Sequence, residues 1–313
     1  MALHSMYESG PLGTPIGRRN LIREGLALMG GVGALSLPLT AAATTMARPN
    51  ENSRAPVNRR RILDFRARPN TETFMRLFPR TPKMPLTTNL AGFIAELDQV
   101  GVTKAVFTGR LTAPYAISND YIANCARAFP DRIIPIGGVN VFAKAKAVAE
   151  AERALGELKF RGLSIDLQGI YADDRLLYPI YYKCIEHDVP ILLTCGPYMT
   201  PFNDPARIAV AASDLPELKI VCTHAVTPGT DVLIAIAFLR SNVYLEPSVY
   251  HYMTGFAEIM RAAGSYLQDK VIYGSGFPFS LLTDFQFYEK FGIDPGILDK
   301  ILYMNGARLL KLV

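Results

Sequence analysis

The stretch that decides the fold runs from Phe160 to Gly196, "FRGLSIDLQGIYADDRLLYPIYYKCIEHDVPILLTCG". Two short aliphatic and β-branched runs, 161–167 and 189–195, flank a segment, 173–187, that reads as helix. A strand, a helix and a second strand on short connectors form a crossover, and a crossover joins parallel strands. The same alternation extends both ways. Strand-like runs recur at 61–65, 103–109, 132–139, 218–224, 242–248 and 270–276, separated by helical patterns over 88–100, 117–129, 143–158, 205–213, 229–240, 253–267, 281–291 and 295–311. Eight strands alternating with at least as many helices predict an α/β protein of the closed (β/α)8, TIM-like barrel type. The competing arrangement is an open doubly wound sheet. No G-x-G-x-x-G or G-x-x-x-x-G-K-[ST] turn follows any strand, which argues against a dinucleotide or P-loop site.

With 313 residues, half of them hydrophobic, the chain can bury a barrel-sized core. Cys125, Cys184, Cys195 and Cys222 show no C-x-x-C spacing and read as free thiols packed as small hydrophobes. The amino terminus differs in kind. Residues 1–47 place Arg18 and Arg19 ahead of an apolar run from Leu26 to Leu39 and then small residues around Ala41–Ala43 and Ala47. That layout is a twin-arginine export signal, whose partner is the twin-arginine export machinery and whose destination is the periplasm or the exterior. The apolar run is shorter than the roughly 20 residues of a membrane span. Residues 48–61 form a basic polar lead-in carrying Arg48, Arg54, Arg59, Arg60 and Arg61, and the formal charge of +5 arises in these two segments. The barrel domain, 62–313, is thereby neutral. A basic patch for nucleic acid would belong to the fold, so no nucleic-acid partner is expected.

In a barrel of this kind, chemistry collects at the carboxyl ends of the strands. Those ends carry Arg66 and Arg68; Gly109 and Arg110; Asn140; Asp166 and Gln168; Thr194 and Cys195; Thr223 and His224; Glu246 and Ser248; and Ser275 and Gly276.

The order of the strand-end motifs resembles the amidohydrolase-related family, metal-dependent barrels that include hydrolases and nonoxidative decarboxylases. "LDQVGVTKAVFTG" resembles its second-strand entry, "NDYIANCARAFPDRIIPIGGVN" its N-x3-A-x4-P-x-R segment, and 160–196 its fourth and fifth strands. "LKIVCTHAVTPG" resembles the sixth-strand histidine motif, "KVIYGSGFPFS" the eighth-strand G-S-D-[FY]-P motif, and "NGARLLKL" the closing helix. The resemblance implies the barrel fold over roughly residues 60–312.

Its departures concern the metal. Where the family carries H-x-H on the first strand, this chain has Arg66 and Arg68; the strand-five ligand histidine is Thr194, the eighth-strand aspartate is Gly276, and the strand-four histidine is Asp166, with Ser164 where a lysine is common. Guanidinium keeps its protons and offers no lone pair, and glycine has no ligand atom, so no metal and no other cofactor is expected. His224 matches the strand-six histidine that moves protons in the family's decarboxylases, and it is the best acid/base candidate; the alternative is a purely structural hydrogen bond.

Strand alternation puts Arg66 and Arg68 on one face, aimed at the space a metal fills in the relatives. They are read either as a clamp for an anionic substrate group, or as structural ion-pair partners of Asp64, Asp166 or Glu246. Asp166, Thr194, Cys195, Glu246 and Ser275 complete the expected substrate-binding set; Cys195 could also be a nucleophile if His224 lowers its pKa, but the favoured reading of its thiol is core packing. Tyr198, Met199, Phe202, Tyr250, His251 and Tyr252 are candidates for an aromatic lid. The expectation is an exported, metal-independent enzyme hydrolysing a small anionic, aromatic or lactone-like compound. The alternatives are a carbon–carbon lyase such as a decarboxylase, and a binding protein that kept the barrel without chemistry. A homo-oligomer is compatible with all three.

Replacing Arg18 and Arg19 by lysine should block export and leave the barrel folded, because the receptor reads guanidinium groups. Fractionation that still finds the lysine variant outside the cytoplasm would refute the signal.

Overall fold

Strands β1 (Leu63–Ala67), β2 (Lys104–Thr108), β3 (Ile133–Gly138), β4 (Leu163–Asp166), β5 (Ile191–Thr194), β6 (Ile220–Thr223) and β7 (Val243–Glu246) pair in chain order, each parallel to the next. This computed structural model describes residues 60–68, 90–112, 115–226 and 228–313, all within the compact unit Arg54–Val313. The expected export signal and most of the basic lead-in lie outside the described residues.

The ring is closed by residues 271–277. Val271 bridges to Leu245 on β7 and Phe277 to Ala67 on β1. Phe65 N donates to Tyr273 O at 3.0 Å, and Gly276 N donates to Arg66 O at 2.8 Å. The eighth strand expected at 270–276 is therefore present as an irregular closing segment, and the barrel reading holds. Its irregularity follows from its glycines. A Cβ on Gly274 would lie 2.6 Å from Glu246 Oε1 and 2.8 Å from Arg66 Cβ, and Gly276 adopts a left-handed φ of +77°.

The helices cover the barrel: α1 (Leu90–Val100), α2 (Asn119–Ala128), α3 (Ala145–Glu152), α4 (Tyr178–Glu186), α5 (Pro205–Asp214), α6 (Thr230–Leu239), α7 (Phe256–Ala263), α8 (Phe285–Glu289), α9 (Pro295–Asp299) and α10 (Asn305–Leu309). Their starts carry the expected chemistry. Ser118 caps α2 by accepting from Tyr121 N, and Asp204 and Asp294 cap α5 and α9, each just ahead of a proline. The long helices expected over 143–158 and 295–311 are interrupted by wider π-helical turns at Arg153–Glu157 and Lys300–Met304.

Leu63 and Phe65 join Val106, Ile134, Leu192, Val221 and Ile272 in one buried cluster that also takes Tyr303, Ala307 and Leu309 from the closing helical segment. Gly306 lets that segment approach, since its Cβ would sit 2.8 Å from the Phe65 ring. The two described residues of the lead-in are fastened to the same region: Arg60 pairs with Asp299 at 2.5 Å, and the Arg61 guanidinium lies 4.3 Å over the Tyr303 ring.

Gly276 provides a test of barrel closure. An alanine there would need an unfavourable φ and would place its Cβ 2.1 Å from Val249 Cγ2. Gly276→Ala should therefore lower the unfolding free energy by about 2–4 kcal/mol in chemical denaturation. An unchanged midpoint would contradict this closure.

Candidate active site

The ends of β4, β5, β6 and β7 lie in register: Asp166 opposite Thr194, Thr194 opposite Thr223, and Thr223 opposite Glu246. Directly opposed residues share a face, so these strands end in one polar row. Arg66 reaches it from β1. Its Nη2 donates to Thr194 Oγ1 at 3.0 Å and its Nη1 to Ser164 Oγ at 3.4 Å. Arg66 is 1% exposed and Arg68 5% exposed, as buried as the apolar core.

Neither arginine has a carboxylate within ion-pair range among the described residues, because each nearby carboxylate is engaged elsewhere. Asp166 pairs with Arg110 and accepts from Thr112 Oγ1 at 2.8 Å. Asp64 accepts from Ser275 N at 2.8 Å and Ser275 Oγ at 2.6 Å, tying β1 to the closing segment. Glu246 accepts from Ser248 N at 2.7 Å and Ser248 Oγ at 2.9 Å. The expected ion pairs of Arg66 or Arg68 with Asp64, Asp166 or Glu246 are thus not formed. Arg66 Nε, Arg68 Nε and Thr108 Oγ1, at the ends of β1 and β2, are buried with no hydrogen-bond partner. Buried donors without partners are costly, and they suit an acceptor arriving from outside.

Charges still act at longer range. Burial would raise the Asp166 carboxyl, but Arg110, Arg68 and Arg66 outweigh it and hold it near 2. Burial, opposed by Arg66 and by the Ser248 hydrogen bonds, pushes Glu246 up to about 7. Asp64 is raised to about 6 by burial, against its bonds from Ser275. Burial and the neighbouring Arg68 bring Arg66 down to about 10, still protonated at neutral pH.

His224 enters this site through its backbone. Strand alternation would send the residue after Thr223 to the opposite face, but His224 takes a left-handed φ of +60°. Its Nδ1 lies 2.9 Å from Ser248 O and 3.1 Å from Ser248 Oγ. A carbonyl only accepts, so Nδ1 carries the proton and Nε2 bears the lone pair. Burial, then the Arg66 charge, depress its pKa well below the ordinary range, and the imidazole is neutral at physiological pH. A non-glycine residue held at positive φ is a strained conformation of the sort that concentrates at functional sites.

Aromatic rings line the surroundings. Tyr198 and Tyr250 lie 6.3 Å and 5.6 Å from the His224 ring, and Arg110 lies 4.7 Å over Tyr115. Of the other lid candidates, Met199 is buried, Phe202 packs on Tyr171 at 5.0 Å, and Tyr252 is exposed. His251 belongs to a separate buried cluster, 3.3 Å from Asp284 Oδ2 and 3.1 Å from Tyr288 OH. The Cys195 thiol donates to Leu193 O at 3.1 Å and its pKa is driven well up by Cys222 and burial, so it behaves as a packed thiol. Ser275 serves Asp64 and the backbone of Phe277. Arg110, Thr112 and Ser248 acquire their places only through the fold; Arg110 and Ser248 were visible in the sequence as strand-end residues, without a role.

The sequence model of the amidohydrolase family matches residues 64–312. The chain belongs to the amidohydrolase family. Among solved structures it is similar to an uncharacterized TIM-barrel protein from Bordetella bronchiseptica, at 28% identity and a TM-score of 0.71 over 80% of this chain and 98% of that one. It also shares its fold with 4-oxalomesaconate hydratase from Rhodopseudomonas palustris (16% identity, TM-score 0.60, 80% and 95% of the chains). A third is a dihydroxybenzoic acid decarboxylase from Polaromonas sp. JS666, solved with bound manganese and 2-nitroresorcinol (16%, 0.62, 80% and 97%). A search of curated proteins found no match.

The residues of this amidohydrolase do not fit such a metal. Arg66 brings positive charge and no lone pair, Thr194 already accepts from Arg66, and Gly276 has no side chain. Among the described residues, no group of three or more His, Cys, Asp or Glu is placed to hold a metal ion.

Glu246 gives a pH test. Its folded pKa of about 7 lies above its ordinary value of 4.5, so the folded protein keeps a proton that the unfolded chain releases. Its contribution is largest below 4.5 and is lost as pH rises to 7. Relative to Glu246→Gln, the wild type should lose about 2–4 kcal/mol of stability across that window, at about 1.4 kcal/mol per unit. A constant difference in denaturant midpoints would contradict the shift.

Proposed function

We propose that this amidohydrolase is a metal-independent hydrolase of small anionic organic compounds, with Arg66 and Arg68 as the anion clamp and His224 as the base. The observation that carries the reading is the pair of buried guanidinium groups that, among the described residues, have no carboxylate at ion-pair distance and whose Nε atoms have no hydrogen-bond partner. An arriving carboxylate or other oxyanion supplies the missing acceptor and charge.

The chemistry follows from the tautomer. The His224 Nε2 lone pair takes a proton from water as the water oxygen bonds to a substrate carbonyl carbon. The carbonyl π electrons move to its oxygen, and that charge develops against the guanidinium groups, which take the place of a Lewis acid. When the intermediate collapses, the bond to the leaving group breaks and the leaving atom takes the proton from His224. Anion binding also neutralises the cations that depress His224, so the base strengthens once substrate is present. Thr194 accepts from Arg66 and so orients it, Asp166 holds Arg110 nearby, and the tyrosine rings suit an aromatic or otherwise flat substrate. The leader supports action outside the cytoplasm.

A carbon–carbon lyase is the second reading, favoured by the likeness to a decarboxylase and a hydratase fold and by Glu246 as a nearby proton store. Simple decarboxylation fits the clamp less well, because guanidinium groups stabilise the carboxylate charge that must flow into the leaving bond.

Purified protein offered aromatic esters, lactones and carboxylic acids should yield water adducts; carbon dioxide release would favour the lyase, and binding without turnover a binding protein. With a turned-over substrate, Arg66→Ala or Arg68→Ala should raise KM by roughly 10- to 100-fold. His224→Ala should lower kcat by about 10²–10⁴-fold. Lowered melting temperature with unchanged KM in the arginine variants would reject the clamp.

A further inference from the structure

We propose that Glu246 and Ser248 form a relay that positions His224 and balances the charge it acquires on taking a proton. The inference rests on His224 being the proton-transfer group, as argued above, and it moves Glu246 from a substrate contact to a group acting behind the base.

The geometry is continuous. Glu246 Oε2 accepts from Ser248 Oγ at 2.9 Å, and Glu246 Oε1 accepts from Ser248 N at 2.7 Å. The carboxylate thereby fixes both the backbone and the hydroxyl of Ser248, just beyond the end of β7. Ser248 in turn presents its carbonyl at 2.9 Å and its hydroxyl oxygen at 3.1 Å to His224 Nδ1. With the hydroxyl proton committed to Glu246, the Ser248 oxygen is left as an acceptor, like the carbonyl beside it. Both acceptors enforce the Nδ1–H form, and Nε2 stays available.

The need for such a relay is electrostatic. The charged groups acting on the His224 ring are Arg66, Arg68 and Asp166. Two are cations that oppose imidazolium formation, and Asp166 is paired with Arg110. Glu246 itself faces Arg66, Asp64 and Tyr288. Above about pH 7, where Glu246 is ionised, it is among the described residues the carboxylate joined to the ring by hydrogen bonds, through the Ser248 hydroxyl. As Nε2 gains a proton, the positive charge spreads to Nδ1–H and is met by the Ser248 oxygens, which Glu246 polarises. Ser248→Ala removes the hydroxyl link and keeps the carbonyl; Glu246→Gln removes the charge at nearly constant shape.

The test is ring-nitrogen NMR on the full chain labelled with 15N-histidine, which has 4 histidines to resolve. The His224 signals are assigned by their loss in His224→Ala. Sodium benzoate serves as the anion probe, with its binding followed separately by calorimetry. In the wild type, His224 should be in the Nδ1–H form with or without benzoate. In saturating benzoate, Ser248→Ala and Glu246→Gln should each lower the proton affinity of His224 by about tenfold and increase the Nε2–H form, and the double variant should fall no further than the lower single one. Should Glu246→Gln not fold, Ser248→Ala decides alone. Unchanged tautomer and proton affinity in the folded variants would overturn the relay. Failure of benzoate to bind the wild type would count against the clamp instead, and the tautomer comparison without benzoate would still decide the relay.

Discussion

The Arg66 and Arg68 guanidinium groups are buried at the β1 end of the barrel, and among the described residues no carboxylate lies at ion-pair distance from either. A buried ion is tolerated only with compensation, and here Arg66 is compensated in part by two neutral hydroxyl groups and by carboxylates acting at a distance. The surrounding architecture follows from keeping that arrangement intact. Asp64 is held by Ser275, Asp166 by Arg110, and Glu246 by Ser248, so the acids steady the barrel rim without quenching the arginines. Gly274 leaves room for Glu246 and Arg66 to stand on either side of the closing segment.

The same arrangement sets the protonation states. Burial and the cations beside His224 keep it neutral and weaken it as a base, while burial lifts Asp64 and Glu246 toward neutrality. Under the proposed clamp, an incoming anion would relieve the cationic groups that restrain His224. The fold is shared with a decarboxylase solved with bound manganese, whereas the β1 end of this chain carries two arginines. Reinstating histidines at 66 and 68 would not recover such a centre, because residue 276 has no room for a side chain beside Val249.

Much of this was legible in the sequence because it depends on local pattern. The alternating runs marked the barrel, and the two-residue spacing of Arg66 and Arg68 placed both on the inner face. The register that aligns Asp166, Thr194, Thr223 and Glu246 is a property of strand pairing, which no single strand reveals. The positive φ of His224 turns its ring toward Ser248, against the alternation that would send it away. Partner choice was equally hidden: opposite charges suggested that the arginines pair with Asp64, Asp166 or Glu246, whereas Ser275 holds Asp64, Arg110 and Thr112 hold Asp166, and Ser248 holds Glu246. Cys195 illustrates the converse. Its strand-end position suggested a mouth residue, but its thiol lies against Leu193 O and Cys222. The irregular eighth strand was legible as a strand but not as a bend, because its shape comes from neighbours packed within van der Waals reach of its glycines.

The most direct measurement is a crystal structure of the protein soaked with 4-bromobenzoate, with anomalous scattering locating the bromine. The carboxylate should lie between the Arg66 and Arg68 guanidinium groups, its oxygens about 2.7–3.1 Å from their nitrogens, with the ring toward Tyr198 and Tyr250. A carboxylate bound away from both arginines, or a metal ion coordinated at the β1 end, would contradict the account.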